Sequence, residues 1–184
     1  FVYLLLSRVH LYMENWNEAS YYADKVIADS RFRLLDFPDF PSGSHIEVHT
    51  YRCPEVIWPY SYSGEFNEYE NPYMMVYSLG GSVAFVIASS ELYYKYSADD
   101  IRRDQYLVRD VRSINYKAFG KIALKSGSSD PNPNNTFARS LRVSEAYLNK
   151  AEAQAEIFKE SGSAEAKTSA INTIQALRAK RITN

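Results

Sequence analysis

Leu141–Lys159, with the sequence LRVSEAYLNKAEAQAEIFK, is the stretch that decides the predicted fold. Read at helical spacing, it separates into two stripes. The alanine-rich apolar stripe comprises Leu141, Ser144, Leu148, Ala151, Ala155 and Phe158. The polar stripe comprises Arg142, Glu145, Asn149, Glu152, Glu156 and Lys159. This division predicts an amphipathic helix. Because small residues let two helices approach closely, we expect this helix to lie against a partner helix.

The N-terminal part of the chain, residues 1–30, predicts a hairpin of two antiparallel helices. The first helix covers Phe1–Met13, and the second begins after Asn15 and ends near Ser30. Asn15 is a candidate N-cap, and Glu18 completes the spacing of a capping box. The residues expected to face inward are Leu5, Val9, Tyr12, Met13, Ala19, Tyr22, Ala23, Val26 and Ile27.

The C-terminal part, residues 137–184, predicts a second helical hairpin. Its helices are expected over Phe137–Glu160 and Ala164–Arg181, joined by a turn at Ser161-Gly162-Ser163. Serine and glycine are typical of such a break between two helices.

Residues 31–136 predict an irregular, aromatic-rich insertion between the two hairpins. Short strands or helices are expected at Ile46–Thr50, Glu55–Tyr60, Ser90–Tyr96 and Asp99–Leu107, and loops at Ser61–Pro72 and Ser126–Asn135. The predicted fold is therefore mainly α with a few short strands, in a single domain over residues 1–184.

Composition excludes several classes of function. The chain has 184 residues and a formal net charge of -1, with both signs interspersed, so an electrostatic grip on nucleic acid is not expected. No apolar run reaches the roughly 18 residues of a membrane-spanning helix, and no signal peptide is visible. The chain opens at Phe1, without methionine and inside an apolar pattern, so we expect a fragment of a longer protein.

One group of candidate metal ligands, His45, His49 and Cys53, has a spacing of four residues. On a helix this spacing would place three metal ligands on one side. The surrounding residues favour a strand instead, and Pro54 follows directly. The sequence therefore predicts neither a metal site nor a bound cofactor.

Glu145 and Glu152 share one side of the predicted helix, about 10 Å apart by helical rise. Paired carboxylates at such a separation can hydrolyse glycosides. The same side also carries Arg142, Asn149 and Lys159, as a solvated helix would. We therefore expect a structural contact between Arg142 and Glu145 and no catalytic residue.

Both hairpins resemble tetratricopeptide repeats, and the order of motifs resembles the SusD/RagB-like family of nutrient-binding proteins. The matching segments run along almost the whole chain. They are Arg8-Val9-His10-Leu11-Tyr12 with Trp16 and Ala19, Glu55-Val56-Ile57-Trp58, Glu91-Leu92 with Lys95-Tyr96, Asp100-Ile101-Arg102, Arg142-x-x-Glu145-x-x-Leu148-x-x-Ala151-Glu152-Ala153, and Ile171-Asn172-x-Ile174.

This resemblance implies a binding protein rather than an enzyme. Members of the family are lipid-anchored proteins on the surface of the outer membrane of Gram-negative bacteria. They capture glycans or other nutrients together with a TonB-dependent outer-membrane transporter. Their helical repeats are scaffold, and ligands are held by aromatic and polar side chains on the irregular part.

An aromatic run provides the candidate ligand site. Sugar rings stack on aromatic faces, while amides and carboxylates bind their hydroxyl groups. The candidate ligand-binding residues are Tyr60, Tyr62, Phe66, Asn67, Tyr69 and Tyr73. Trp58, beside Val56 and Ile57, is expected to pin the segment to the core instead.

The function predicted from the sequence is binding of an oligosaccharide or polysaccharide during nutrient uptake. One alternative is a tetratricopeptide-like module that binds a peptide or protein between its hairpins. A further alternative is a fragment of a carbohydrate-active enzyme.

Overall fold

A computed structural model describes residues 1–37, 53–60, 76–78, 82–84, 90–100, 103, 109–110, 117–118 and 139–182. The fold is mainly helical with a few short strands, which confirms the predicted fold class. The helices are α1 (Val2–Tyr12), α2 (Trp16–Ile27), α3 (Ser90–Lys95), α4 (Val143–Ser161) and α5 (Ala164–Arg178). The strands are β1 (Val56–Tyr60), β2 (Val76–Ser78), β3 (Ser82–Ala84), β4 (Arg109–Asp110), β5 (Lys117–Ala118) and β6 (Arg139–Arg142).

The chain divides into two compact units, each assembled from separated segments. The helical unit comprises Phe1–Leu35, Pro54–Trp58 and Ser140–Lys180. The second unit comprises Asp36–Cys53, Pro59–Arg139 and Arg181–Asn184. The predicted first and second hairpins thus belong to one unit, although more than a hundred residues separate them in sequence.

In the helical unit, α2 packs on both α1 and α4, and α4 packs on α5. α1 also contacts α4, so the second hairpin lies against both helices of the first. The core of this unit consists of Leu4, Ala23, Val26, Leu34, Leu141, Val143 and Ala146. Small residues allow close helix packing here, as predicted, but the predicted apolar stripe is only partly right. Leu148 and Ala155 of that stripe are exposed, whereas Ala146 and Ala153, outside it, are fully buried.

Of the residues predicted to face inward on α1, Leu5 packs against the core, but the prediction is wrong for the other three. Val9 is 50% exposed, Tyr12 84% and Met13 61%, whereas Leu4 and Ser7 are fully buried. The physical reason is that Ser7 donates a hydrogen bond from its hydroxyl to the carbonyl oxygen of Ala19, at 2.9 Å. A small hydroxyl residue that bonds to the facing backbone lets α1 approach α2 closely, and this turns the larger apolar residues outward.

The start of α4 also differs from the prediction. Arg139–Arg142 is strand β6, which pairs with β1, and the helix begins at Val143 rather than at Phe137. Arg142 has extended backbone angles, φ -129° and ψ 151°. The amide of Val143 donates to the carbonyl oxygen of Glu55 at 2.8 Å, so a distant strand fixes this boundary.

A side-chain cap is present in the second hairpin but not at the start of α2 in the first. Ser163 caps α5, because its hydroxyl accepts a hydrogen bond from the amide of Ala166 at 3.1 Å. Gly162 ends α4 with φ 71°, a left-handed conformation that favours glycine. Asn15 occupies the N-cap position of α2 but makes no side-chain cap bond, so the predicted capping box is not formed.

The second unit contains short antiparallel strand pairs, β2 with β3 and β4 with β5. α3 confirms the short helix predicted at Ser90–Tyr96, apart from its last residue. Asp100 forms an isolated antiparallel bridge with Ile182, and the guanidinium of Arg181 lies 4.1 Å from the centre of the Phe37 ring. The predicted strand at Ile46–Thr50, both predicted loops and most of Asp99–Leu107 lie outside the described residues.

Candidate functional site

The predicted ligand residues lie mostly beyond the described residues. The backbone of Tyr60 ends strand β1, as the strand alternative for Glu55–Tyr60 predicted. The others, Tyr62, Phe66, Asn67, Tyr69 and Tyr73, are outside the described ranges. The ligand site therefore stays a prediction. The described residues include strand β1, which directly precedes that site in sequence.

Trp58 is a candidate site residue that the sequence analysis assigned to the core. Its side chain is 51% exposed, and its neighbour Ile57 packs against the core instead. The Trp58 and Phe1 ring centroids lie 5.0 Å apart, with the ring planes inclined at 37°. A half-exposed tryptophan offers a broad apolar face. Alternation along the strand, with Ile57 directed to the core, is the sequence signal that could have indicated this exposure.

Glu55 anchors the strand that carries Trp58. Its side chain is fully buried, and one carboxylate oxygen accepts a hydrogen bond from the Leu35 amide at 2.8 Å. The other carboxylate oxygen lies 3.8 Å from Nη1 of Arg142. Together with the Val143 amide on its carbonyl oxygen, these contacts tie β1 to the helical unit and give Trp58 a rigid base.

The two hairpins are joined by an ion pair of Arg8 on α1 with Glu145 on α4. Nε and Nη2 of Arg8 donate to the two carboxylate oxygens at 2.6 and 2.8 Å, which is bidentate geometry. The sequence predicted that Glu145 would contact Arg142. Instead, Glu145 binds across the hairpins and Arg142 approaches Glu55.

Further polar contacts follow the same seam between the first hairpin and α4. Asn149 donates from its side-chain amide to the hydroxyl of Ser7 at 3.3 Å. Nζ of Lys150 binds Asp24 at 2.6 Å, and Gln154 donates to Ser20 at 2.7 Å. The polar side of the Leu141–Lys159 helix is thus partly an interface between helices. Its carboxylate Glu145 is held by Arg8, and Glu152 is exposed.

The surface between α1 and α2 carries an aromatic stack. The Tyr22 ring is nearly parallel to the Tyr3 ring, with centroids 6.1 Å apart, and to the His10 ring, with centroids 5.4 Å apart. Tyr3 and His10 are seven residues apart, about 10 Å along a helix, which accommodates one ring between them. The Tyr22 ring therefore lies between Tyr3 and His10, and this cluster explains two of the tyrosines by packing rather than by ligand binding.

An open groove of about 580 Å³ lies beside α5. It is lined by Lys150, Ala164, Glu165, Thr168, Ser169, Asn172 and Thr173. The amide of Glu165 and the hydroxyl of Ser163 donate hydrogen bonds to the Glu165 carboxylate and lower its pKa. Hydroxyl and amide groups can bind a polar ligand. None of the described residues that line the groove is aromatic, so none of them offers a sugar a stacking surface.

Metal ligands do not cluster within the described ranges, which contain no group of three histidine, cysteine, aspartate or glutamate side chains placed to hold an ion. Of the residues considered for a metal, Cys53 is buried, and His45 and His49 lie outside these ranges. Among the helices described, none is long and apolar enough to cross a membrane.

Comparisons with known proteins give no relative for this chain. No protein-family model matches it, and neither a curated protein nor a solved structure shows detectable similarity.

Proposed function

We propose that this chain is the helical scaffold and part of the ligand site of a non-catalytic, SusD-like glycan-binding protein. In its full-length parent it would be lipid-anchored at the surface of the outer membrane. The observation that supports this proposal best is where the motif residues lie. Arg8 and Glu145 come from two separate matching segments and bind each other in one bidentate contact.

Other residues of the same motifs also contribute to the scaffold. Trp16 donates from its ring nitrogen to Glu160 at 2.8 Å, which links α2 to α4. Glu55, from the segment that includes Trp58, is buried beside Arg142. The matching segments that supply Arg8, Trp16, Glu55 and Glu145 therefore all contribute to the helical unit.

The ligand class follows from the aromatic residues around Trp58. Trp58 is exposed on a strand that ends at Tyr60, and the tyrosine-rich segment follows directly in sequence. Aromatic faces interleaved with Asn and Glu side chains suit sugar rings, which present apolar C–H faces and hydroxyl groups. Functional residues often lie on irregular segments held by a rigid scaffold. We therefore assign oligosaccharides or polysaccharides as the ligand.

Affinity electrophoresis against a panel of soluble glycans tests this assignment. The intact protein should be retarded by at least one glycan, and Trp58→Ala, Tyr62→Ala and Tyr69→Ala should each reduce the retardation. Tyr12→Ala is the matched control, because Tyr12 is 84% exposed on α1 and lies outside the proposed site. No retardation by any glycan, or an equal loss with Tyr12→Ala, would contradict the proposal.

The proposed partner is a TonB-dependent outer-membrane transporter. A pull-down from native outer membranes with the full-length parent should recover such a transporter, identified by mass spectrometry. A pull-down that recovers abundant outer-membrane proteins but no transporter of this class would contradict the proposed partnership. Glycan binding is tested separately by the electrophoresis experiment.

The alternative, a module that binds a peptide, is supported by the groove beside α5. Thr168 and Ser169 there offer hydroxyl groups and Asn172 an amide, while the ammonium group of Lys150 is bound to Asp24. Saturable binding of a peptide that Asn172→Ala weakens, in a protein that no glycan retards, would favour this module over the glycan-binding protein.

A further inference from the structure

The ring of Trp58 is in contact with the ring of Phe1, which lies just before α1. The two ring centroids are 5.0 Å apart and the ring planes are inclined at 37°. Rings whose centroids are this close overlap in part, because two rings lying side by side in one plane need a larger separation. Phe1 therefore covers part of one face of the Trp58 ring.

The exposure of both side chains agrees with this arrangement. Trp58 is 51% exposed and Phe1 is 48% exposed, whereas Tyr12, near the other end of α1, is 84% exposed. A tryptophan that is covered on one face keeps about half of its surface in water. The uncovered face of the Trp58 ring is therefore the one that a ligand can reach.

The backbone of Phe1 is fixed by the first turn of α1. Its carbonyl oxygen accepts hydrogen bonds from the amides of Leu4 at 3.1 Å and of Leu5 at 3.2 Å. Leu4 is fully buried, and Leu5 packs against the core. The Phe1 ring is therefore attached to a helix start that the core of the helical unit holds in place.

The backbone that carries Trp58 is fixed by different contacts. Its neighbour Ile57 packs against the core, and the amide of Val143 binds the carbonyl oxygen of Glu55 at 2.8 Å. These contacts fix the strand, whereas the Phe1 ring contacts the indole itself and restrains its rotation. The orientation of the Trp58 ring thus depends on Phe1.

We propose that Phe1 is a positioning residue for Trp58, which holds the indole so that its uncovered face is presented to a sugar ring. This inference rests on the proposed glycan binding. A side chain that is already held in one orientation loses less rotational freedom when a ligand stacks on it, so the ligand binds more tightly. Phe1 acts through Trp58 and does not itself contact the glycan.

Fluorescence anisotropy measures how freely the Trp58 ring moves, and it needs no ligand. Trp16→Phe is present in every variant of this experiment, so that Trp58 is the single tryptophan. Phe1→Ala should lower the anisotropy, and Phe1→Tyr should leave it unchanged. Tyr3→Ala is the matched control, because Tyr3 is 51% exposed on α1 but stacks on Tyr22. An anisotropy that Phe1→Ala does not lower would overturn the proposal.

Titration calorimetry with soluble starch, xylan, mannan and pectin, each as a separate titrant, measures the effect on binding. For any of these that the intact protein binds, Phe1→Ala should weaken the binding by about threefold or more. Phe1→Tyr and Tyr3→Ala should bind as the intact protein does. In Trp58→Ala, whose binding is already weaker, adding Phe1→Ala should have no further effect, because Phe1 acts through Trp58.

Two calorimetric results would overturn the role of Phe1 while leaving the proposed glycan binding in place. The first is equal affinity of Phe1→Ala and the intact protein. The second is a further loss when Phe1→Ala is added to Trp58→Ala, because Phe1 would then contact the glycan itself. If the intact protein binds none of the polysaccharides, the proposed function fails, and the role of Phe1 in binding fails with it.

Discussion

α1 and α5 are the first and last helices of the helical unit, and their solvent sides are opposite in character. Apart from Ile171, the exposed side chains of α5 are small or polar, and they include Glu165, Lys167, Thr168, Asn172, Gln175 and Arg178. The outward side of α1 carries only apolar residues, among them Val2, Val9 and Met13. The solvent side of α5 is therefore typical of a surface helix, whereas that of α1 is not.

The same contrast holds between the two sides of α1. The side toward α2 and α4 holds Leu4, fully buried in the core, and Arg8 in its ion pair with Glu145. The outward side holds residues that no described helix covers. We therefore expect stability to depend far more on the side toward α2 and α4 than on the outward side.

The largest expected effect compares Leu4→Ala with Val9→Ala. Leu4 is fully buried, so its truncation should lower the free energy of unfolding by about 2–5 kcal/mol. Val9 is 50% exposed, and its truncation should change that free energy by less than about 1 kcal/mol. Urea unfolding followed by circular dichroism measures both, and similar losses for the two variants would show that the outward side is already buried.

A smaller effect is expected for the contact that joins the hairpins. A double-mutant cycle with Arg8→Ala and Glu145→Ala should give a coupling of about 1 kcal/mol, because the pair is bidentate and only partly exposed. The cycle for Lys159 and Glu156, an exposed pair within α4, should give no measurable coupling. Equal coupling in the two cycles would mean that Arg8 does not hold the hairpins together.

The helix caps give a smaller difference between the hairpins. Ser163→Ala should destabilise the protein by about 1 kcal/mol, because the hydroxyl caps the Ala166 amide. Asn15→Ala should cost only a few tenths of this, since the Asn15 side chain makes no cap bond to α2. Thermal unfolding measures both, and an equal loss for the two variants would show that the caps of the hairpins are equivalent.

The smallest effect concerns the carboxyl group of Asp29, just after the first hairpin. Hydrogen bonds from the side chain and then the backbone amide of Arg31 lower the Asp29 pKa from 3.8 to about 2. Because this pKa is lowered in the folded state, the contact stabilises the protein above pH 4 and its contribution is lost as pH falls toward 2. In Arg31→Ala, carboxyl chemical shifts should show the Asp29 pKa returning toward 3.8, while the Glu165 pKa in the second hairpin stays lowered. A low Asp29 pKa that persists in Arg31→Ala would contradict this cause.

Helices could be predicted from the sequence, but their orientation could not. Apolar residues lie on nearly every side of α1, so their spacing does not define which side faces inward. Serine is usually predicted to lie at the surface, so the sequence does not predict the burial of Ser7. The hydrogen bond of Ser7 to the Ala19 backbone reverses that expectation. Similarly, Arg139–Arg142 continues a helical pattern, yet pairing with β1 makes it a strand.

Contacts between residues far apart in the chain could not be predicted from the sequence either. Arg8 and Glu145 are 137 positions apart, and the sequence analysis paired Glu145 with its near neighbour Arg142. At the candidate site, the strand at Val56–Tyr60 agrees with one of the two predicted alternatives, but the exposure of Trp58 does not agree with its assignment to the core. The tyrosine-rich segment stays a prediction, because local pattern alone does not define which rings face solvent.

Titration calorimetry tests the proposed glycan binding most directly. The intact protein is titrated with the glycan that retards it most in electrophoresis, beside the double variant Trp58→Ala/Tyr62→Ala and the control Tyr12→Ala. The account predicts saturable heat for the intact protein and for Tyr12→Ala, and at least tenfold weaker binding for the double variant. Unchanged affinity in the double variant, or no saturable heat for the intact protein, would contradict the assignment of this aromatic strand and segment as a glycan site.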